Sequence, residues 1–356
     1  MRRLSRLILL LLCALPSAAN ALPQRTFVAS NGADTNSCSL AAPCRSFGTA
    51  VAAVADHGEV IVLDSAGYGA VTITKSVSII ASPGVYAGIS VFSGAGITVD
   101  GSGTLVVLRG LSINNQGGTG PHGLDFLQGG ILHIENCVIS GFAPGGIGIN
   151  VAAPGTITHV LDTVVRDNQE GIVFQGDARG NISRTRVERN VFLGISVTEN
   201  AKVAVEDSVA SENGYNIDVN DGFLAGATAS ATVARTLLSG GSLGIYAGSG
   251  GTSSVVNVTV MDSTISRAAV SGIESSAGVG STARVTALRN QLQGNIYALR
   301  STGAGASLIL DGNALTGNGT GIESLNGATI VTRGNNTVYS NGTDTLGTPY
   351  TSLGGI

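Results

Sequence analysis

The stretch VLDTVVRDNQEGI, Val160 to Ile172, decides the fold because its pattern recurs along the chain. An aliphatic residue stands two positions before Asp162, a small residue follows Asp162, and a Gly-Ile step closes the stretch. The same surroundings return, at spacings of 22 to 28 residues, around a series of positions that we call anchors: Asn136, Asp162, Arg184, Asp207, Arg235, Asp262, Arg289, Asp311 and Arg333. A regular period of this kind indicates a repeat architecture.

The repeat shows no helical periodicity and is rich in short apolar runs bounded by Gly, Asn and Ser. Glycine accounts for 52 of the 356 residues, and 43% of the residues are hydrophobic. Each repeat therefore reads as two or three short strands joined by tight turns. Stacked about 4.8 Å apart, such repeats form a parallel β-solenoid, whereas a β-propeller needs about 40 residues per blade. We expect an all-β solenoid of roughly ten to eleven coils.

The ends of a solenoid expose unpaired strands and need caps. In the segment CRSFGTAVAAVADHGE, Ser46 can N-cap a short capping helix, apolar residues recur at helical spacing, and Gly58 can end the helix. The expected organisation is a signal peptide at 1–21, an N-terminal loop and capping helix at 22–58, the solenoid at 59–341 and an irregular C-terminal closure at 342–356.

The N-terminus, MRRLSRLILLLLCALPSAANA, has the basic, apolar and small-residue parts of a cleaved secretory signal peptide. Its apolar run is too short for a membrane span, so we expect a secreted or periplasmic protein. Removing it takes away three arginines and no acidic residue, which leaves 16 positive against 23 negative groups. The resulting net charge of about −7 argues against nucleic acid and anionic membranes as partners.

The cysteines agree with export. Cys38 and Cys44 enclose the short loop CSLAAPC, which can close as a disulfide in an oxidising compartment. Cys137 occupies a position where neighbouring repeats carry Ser or Thr, and we expect it to be a small buried residue.

Taken together, these residues resemble the right-handed parallel β-helix proteins of the pectate-lyase-like superfamily, in particular exported bacterial members without an assigned activity. The shared features are the export signal, the Cys-bearing loop, the capping helix, a Gly-Tyr-Gly turn at 67–69 and coils that end in Asp-Ser/Thr, Asn and Gly-Ile. The resemblance spans Arg25 to about Asn341 and implies a right-handed parallel β-helix. It does not select an activity, because the superfamily includes lyases, hydrolases, epimerases, adhesins and spikes.

The charges of the anchors alternate from Asp162 onward. Because equivalent positions of a solenoid lie above one another, each Asp is expected to have an Arg on either side. A slip by one coil would bring like charges together, so this ladder is predicted to favour the correct stacking as well as to stabilise it. The ladder consists of Asp162, Arg184, Asp207, Arg235, Asp262, Arg289, Asp311 and Arg333.

Three other arrangements are candidates for chemistry. His133 and His159 precede their anchors by three residues and have Glu135 nearby, which suits a metal or acid–base pair, although a solvated surface stack is the simpler interpretation. His122 and Asp125 fall in a segment read as a long loop, where they could take part in sugar chemistry. The third arrangement is read as a turn with the spacing of a calcium loop: Asp218, Asn220 and Asp221.

The leading functional hypothesis is an exported protein that binds extracellular or envelope polysaccharide along an extended surface. A polysaccharide lyase, hydrolase or epimerase is the first alternative, and a structural or adhesive surface protein is the second. Neither the clustered Asp set of polygalacturonase-like enzymes nor the acidic calcium cluster of pectate lyases is recognisable. No cofactor other than Ca²⁺ is considered. The chain has no Trp, but Tyr215, Tyr246 and Tyr297 can stack on sugars.

Overall fold

The computed structural model describes residues 21–142, 144–347 and 350–352, and these form a parallel β-solenoid. The chain winds through three parallel sheets, and successive coils add strands to the same sheets. The described residues contain one α-helix, α1 (Phe47–Ala53). The predicted signal peptide lies outside the described residues except for Ala21. No helix in the described part of the chain is both long enough and apolar enough to span a membrane.

Sheet 1 has 14 strands. In spatial order they are β1 (Arg25–Val28), β2 (Gly58–Val62), β5 (Val77–Ala81), β8 (Leu105–Arg109), β11 (Ile131–Glu135), β14 (Ile157–Leu161), β17 (Arg179–Ser183), β20 (Lys202–Glu206), β23 (Thr228–Ala234), β26 (Val255–Met261), β29 (Thr282–Leu288), β32 (Ala306–Asp311), β35 (Thr329–Thr332) and β38 (Thr351–Ser352).

Sheet 2 has 12 short strands that follow those of sheet 1 across a tight turn. They are β3 (Ala66–Gly67), β6 (Ala87–Val91), β9 (Leu111–Asn115), β12 (Val138–Ser140), β15 (Val164–Arg166), β18 (Arg186–Glu188), β21 (Val209–Ser211), β24 (Leu237–Ser239), β27 (Thr264–Ser266), β30 (Gln291–Gln293), β33 (Ala314–Thr316) and β36 (Thr337–Tyr339).

Sheet 3 also has 12 strands. They are β4 (Val71–Ile73), β7 (Ala95–Asp100), β10 (His122–Gln128), β13 (Ile147–Val151), β16 (Glu170–Phe174), β19 (Leu193–Val197), β22 (Tyr215–Asn220), β25 (Leu243–Ser249), β28 (Ser271–Ala277), β31 (Tyr297–Thr302), β34 (Thr320–Leu325) and β37 (Thr343–Gly347). The all-β solenoid expected from the repeat is therefore confirmed.

The interior is filled by columns of aliphatic side chains, one from each coil. The Gly-Ile steps supply one such column, because Ile149, Ile172, Ile195 and Ile217 are partners in successive strands of sheet 3 and are all fully buried. Burying one such side chain contributes about 1.5–3 kcal/mol. Repetition of this contribution stabilises a rod with few aromatic residues.

The turn between sheets 1 and 2 is made by the anchors themselves. Seven of them, from Asn136 to Arg289, adopt left-handed backbone conformations with φ between 47° and 52°. This conformation costs an arginine about 1–2 kcal/mol, and surrounding contacts must offset that cost. In the last two coils Gly312 and Gly334 take the left-handed position instead, with φ of 67° and 79°.

These two glycines change the predicted ladder at its C-terminal end. Asp311 is the strand partner of Leu288 rather than of Arg289, so it lies one column before the other anchors, and Arg333 follows it there. The aliphatic residues predicted to be buried beside them, Ile309 and Val331, are accordingly only half-buried. A glycine at the turn shifts the sequence pattern by one residue while the backbone shape stays the same.

The ladder consists of separate pairs rather than a continuous column. Each arginine reaches back to the acid one coil earlier, with Nε–Oδ distances of 2.8 Å for Arg184–Asp162, 2.7 Å for Arg235–Asp207, 2.8 Å for Arg289–Asp262 and 3.5 Å for Arg333–Asp311. The next acid along the rod contributes only a longer-range attraction, as Asp207 does for Arg184. All of these side chains are largely exposed, so each pair is worth little by itself.

A stronger column lies just inside the second turn, between sheets 2 and 3. Asn168, Asn190 and Asn213 are all buried. The Nδ2 groups of Asn168 and Asn190 each donate to the Oδ1 atom of the next asparagine at 2.9 Å. The same oxygens accept the backbone N–H groups of Asn168 and Asn190 at 3.1 and 2.9 Å. Fully satisfied buried amides of this kind hold one coil on the next.

The N-terminal cap differs from the prediction in extent. Ser46 N-caps α1 as expected, since its Oγ accepts the Thr49 N–H at 3.3 Å, but the helix ends at Ala53 rather than near Gly58. The solenoid begins earlier than expected, because Arg25–Val28 already pairs with β2. Cys38 and Cys44 are joined by a disulfide, with Cα atoms 4.6 Å apart, and their loop bonds to Phe27 on the free edge of β1.

The C-terminal end also differs from the prediction of an irregular closure. Thr343–Gly347 continues sheet 3 as β37, and Thr351–Ser352 continues sheet 1 as β38. The polar and glycine-rich composition of this segment hides its strands, because its side chains are exposed and show no buried periodicity.

Candidate functional site

The outer surface of sheet 3 gathers most of the polar candidates into one place. Around each Gly-Ile step, the residue before the glycine and the residue after the isoleucine point away from the core, so two outward columns run along the sheet. We call this surface the sheet-3 face. Its residues are His122, Ile147, Glu170, Leu193, Tyr215, Leu243, Ser271 and Tyr297 in one column and Asp125, Asn150, Val173, Ser196, Asp218, Tyr246, Glu274, Arg300 and Glu323 in the other.

His122 and Asp125 lie at the N-terminal part of this face, in β10 rather than in the predicted loop. The His122 Nδ1 atom is 2.5 Å from Asp125 Oδ1, and the same oxygen accepts the Asn150 amide at 3.0 Å. Gln175 in turn donates to Asn150 Oδ1 at 3.1 Å. Although burial acts to raise it, the pKa of Asp125 is lowered by the hydrogen bonds from His122 and Asn150. This end of the face is therefore a fixed polar network with an ionised carboxylate.

Asp218 occupies the middle of the face, in β22 rather than in the predicted turn. Only 5% of its surface is exposed, and burial raises the pKa of its carboxyl to about 7, with a hydrogen bond from Asn220 opposing the shift and the charge of Glu170 adding to it. Burial likewise raises the pKa of Glu170, which His122 partly offsets. Asp218 is thus held at the edge of ionisation near neutral pH, and the pKa of Glu170 on the same face is shifted in the same direction.

Ser196 is the strand partner of Asp218 on the same column. Its surface is 4% exposed, and its hydroxyl forms no hydrogen bond with any residue that the structure describes. A buried hydroxyl on an outward column, next to a carboxyl with one bonded oxygen, offers a donor and an acceptor to a ligand.

Aromatic rings border these groups. The ring centroids of Phe192 and Tyr215 are 6.0 Å apart, and those of Tyr215 and Tyr246 are 5.8 Å apart, both in tilted arrangements. Tyr297 follows two coils beyond Tyr246, with the Arg300 guanidinium 5.0 Å from its ring centroid. The three tyrosines that the sequence offered as sugar-stacking residues therefore all lie on the sheet-3 face.

Beside this face lies a pocket of about 310 Å³, which we call the aromatic pocket. Its walls include the rings of Tyr246 and Phe223, the latter 84% exposed, and its floor contains the glycines over which these rings lie, Gly248 and Gly250. An added Cβ atom on Gly248 would stand 2.3 Å from the Tyr246 ring, so only glycine leaves room here.

Asp221, one of the three predicted calcium ligands, is bonded within the protein. This residue is 1% exposed, and its Oδ2 atom accepts hydrogen bonds from Ser249 Oγ at 2.9 Å, from the N–H groups of Gly250 and Gly251 at 2.8 Å and from Ser254 Oγ. Burial opposes the shift, but these donors lower the pKa of Asp221 to about 2. Through these hydrogen bonds within the protein, its carboxylate holds two loops together. In the described residues, no three His, Cys, Asp or Glu side chains are grouped to hold a metal ion.

The remaining candidates lie on sheet 1, on a different surface. The rings of His133 and His159 stack with centroids 4.8 Å apart and planes 15° from parallel, and Glu135 is engaged by Arg109 at 2.7 Å. Burial, and to a lesser degree the neighbouring His133, lowers the pKa of His159. The structure does not bring these residues together with His122 or Asp218. Face-to-face stacking also points the ring nitrogens past each other rather than at one shared ion.

Sequence reasoning missed Glu170, Glu274, Arg300 and Glu323. Glu170 lies in the stretch from Val160 to Ile172, which served only to define the repeat. On the sheet-3 face Arg300 lies between two acids, at 2.8 Å from Glu323 and 3.9 Å from Glu274. The usable signal was the Gly-Ile step, since its flanking residues share one face in every coil.

Comparison with known proteins agrees with this architecture. The family model described as "Right handed beta helix region" matches residues 89–260 and 148–315, which together cover more than half of the chain. The protein thus belongs to the right-handed β-helix family. No curated protein matches the sequence.

Several solved structures share the fold. A pectate lyase, Pel9A, is 17% identical with a TM-score of 0.56, covering 90% of this chain and 80% of its own. The mannuronan C-5 epimerase AlgE4 A-module of Azotobacter vinelandii is 16% identical with a TM-score of 0.63, covering 83% and 91%. The Dettilon tailspike protein is 14% identical with a TM-score of 0.59, covering 90% and 68%. At this level of identity the likeness establishes the pectate-lyase-like fold and not a function.

Proposed function

We propose that the protein binds a polysaccharide chain along the sheet-3 face. The observation that carries this proposal is the joint placement, in successive coils, of the Tyr215–Tyr246 ring pair and the buried carboxyl of Asp218. Sugar rings pack their C–H faces on aromatic rings and donate hydroxyl hydrogen bonds to carboxylates, so both parts of a sugar are matched at one place.

The repeat of the solenoid suits a polymer. Adjacent strands lie about 4.8 Å apart, so equivalent side chains recur along the face at a constant step. The face runs without interruption from His122 in β10 to Glu323 in β34. A long rigid surface of this kind engages several consecutive sugar units, which gives affinity without a deep cavity. The likeness to a pectate lyase and a mannuronan epimerase supports a carbohydrate ligand, and the predicted export signal would bring the protein to such polymers.

Affinity electrophoresis in gels that contain soluble polysaccharides tests this proposal. Binding should slow the native protein, and Tyr215→Ala and Tyr246→Ala should each weaken the retardation by about tenfold in affinity, as expected when a stacking ring worth about 1.4 kcal/mol is lost. Tyr339→Ala is the matched control, because Tyr339 is 69% exposed on sheet 2 and away from the face. Equal losses in all three variants, or no retardation by any polymer, would contradict the proposal.

A second candidate function, cleavage of the bound chain, is favoured by one observation. A carboxyl with a pKa of about 7 is protonated in about half of the molecules at neutral pH, and in that form it can donate its proton to a glycosidic oxygen, as general acids of glycosidases do. Release of reducing ends from a bound polymer is the readout. Asp218→Asn should abolish the release while the tyrosines still retain the polymer, whereas Glu135→Gln on sheet 1 should change neither release nor retention. Activity that survives in Asp218→Asn would remove the catalytic role of Asp218.

A further inference from the structure

No cationic side chain of the sheet-3 face is free to pair with an anionic ligand. Arg300 is its one arginine, and it already bonds Glu323 at 2.8 Å, lies 3.9 Å from Glu274 and covers the ring of Tyr297. His122 is likewise engaged by Asp125. The other regularly placed arginines belong to the pairs at the first turn, where each is committed to an aspartate.

The middle of the face is acidic and has no counter-ion. Glu170 and Asp218 form no ion pair with any residue that the structure describes; Asp218 is buried and Glu170 is half-buried. A uronate carboxylate placed here would meet the charge of Glu170 and of the ionised fraction of Asp218 where little water screens them, which weakens its binding. Its own desolvation would weaken binding further because no arginine or lysine is free to pair with it.

An uncharged sugar meets the opposite situation. Its hydroxyl groups can donate to Asp218 and Glu170, and the Ser196 hydroxyl lacks a partner among the described residues. Its ring can pack on Tyr215 and Tyr246. Every unsatisfied group on the face thus finds a partner without any new charge being buried.

The aromatic pocket likewise suits an uncharged ligand. Apart from Asp221, whose carboxylate is fully bonded within the protein, its lining is uncharged: Asn220, Phe223, Tyr246, Gly248, Ser249, Gly250, Ser276 and Gly278. Its volume of about 310 Å³ is that of a small ligand site. It would accept a hexose or an N-acetylhexosamine and offers nothing to a carboxylate.

We infer that the sheet-3 face selects polymers of uncharged sugars, hexoses or N-acetylhexosamines, over polymers of uronic acids. The inference rests on the proposed polysaccharide binding and adds the class of ligand. It separates this protein from the pectate lyase and the mannuronan epimerase, whose names refer to uronic-acid polymers. The common β-helix carries a face whose charge no longer suits such ligands.

Four probes measured with the native protein test the inference: a neutral glucan, a chito-oligosaccharide, polygalacturonate and chitosan. The neutral glucan or the chito-oligosaccharide should bind at least about tenfold more tightly than polygalacturonate at low salt, where repulsion is least screened. Preference for polygalacturonate, or for the cationic chitosan over both neutral probes, would overturn the inference while polysaccharide binding stands. Failure of all four to bind would instead overturn the proposed function.

A pair of isosteric variants locates the selectivity. Glu170→Gln combined with Asp218→Asn removes both uncompensated carboxylates and should raise the affinity for polygalacturonate relative to the neutral glucan by about tenfold. Glu59→Gln combined with Glu206→Gln makes the same change of charge on sheet 1 and should leave the ratio unchanged. An unaltered ratio in the double variant would overturn the inference. If that variant does not fold, Glu170→Gln alone should shift the ratio in the same direction, and no shift would count against it.

Discussion

The turns of the solenoid and the sheet-3 face use the same carboxylate and amide side chains in opposite ways. At the turns Asp162 is bonded by Arg184, and Asn190 is bonded on both sides by its neighbours, so every polar group is satisfied within the protein. On the sheet-3 face Asp218 is buried without a counter-ion and Ser196 has no partner among the described residues. Polar groups that are satisfied within the protein build the rod, whereas the polar groups of the sheet-3 face remain available to a ligand.

The largest effect is expected from breaking the turn column at Asn190. In Asn190→Ala the side-chain amide and the backbone N–H of Asn168 lose their acceptor, and Asn213 Oδ1 keeps only the backbone N–H of residue 190, so buried polar groups remain unpaired. The free energy of unfolding should fall by about 3–4 kcal/mol, as measured by denaturant unfolding. Asn257→Ala, at an exposed position in β26, is the control. A small loss in Asn190→Ala would mean that the asparagine column does not hold the coils together.

The second-largest effect is expected in the pH dependence of the free energy of unfolding. The pKa of Asp218 is about 7 in the folded protein against an ordinary value of 3.8, so the folded state binds more protons than the unfolded state between these pH values. Stability contributed by this group is therefore full below about pH 4 and is lost as the pH rises to about 7. Asp218→Asn removes this dependence, and its stability relative to the native protein should grow by about 2–3 kcal/mol from pH 5 to pH 7.

Asp221, three residues after Asp218, provides the comparison for this experiment. Its pKa is lowered to about 2, so its contribution is present above about pH 4 and is lost only as the pH falls through 2. Unfolding midpoints of Asp221→Asn should consequently fall below those of the native protein at neutral pH. If both variants respond to pH alike, the distinction between a satisfied and an incomplete carboxylate is wrong.

The smallest effect is expected at the exposed anchor pairs. Arg235→Asp places a carboxylate beside Asp207 and Glu206 and should lower the melting temperature at low salt, with the loss reduced by added salt. Because these side chains are exposed, the decrease should be smaller than in Asn190→Ala. An unchanged melting temperature at low salt would show that alternation of charge does not stabilise the stacking.

The repeat of 22 to 28 residues was sufficient to predict the solenoid, and the anchors were predicted to lie above one another. The prediction failed where a glycine changed the pattern without changing the backbone, as at Asp311, and where exposed strands carried no buried periodicity, as at Thr343–Gly347. His122, Asp125 and Asp218 were recognised as polar candidates but were assigned to loops, because glycine and proline nearby suggested turns.

The sequence by itself determined the coil, since apolar periodicity and turn residues are local properties that survive in any one repeat. Only the tertiary structure decided which polar residues form a site. Glu170, Ser196 and Asp218 are separated by 22 to 26 residues along the chain, and they become neighbours only when the coils stack. Their burial and lack of counter-ions arise from residues of other coils, so no single repeat contains the information.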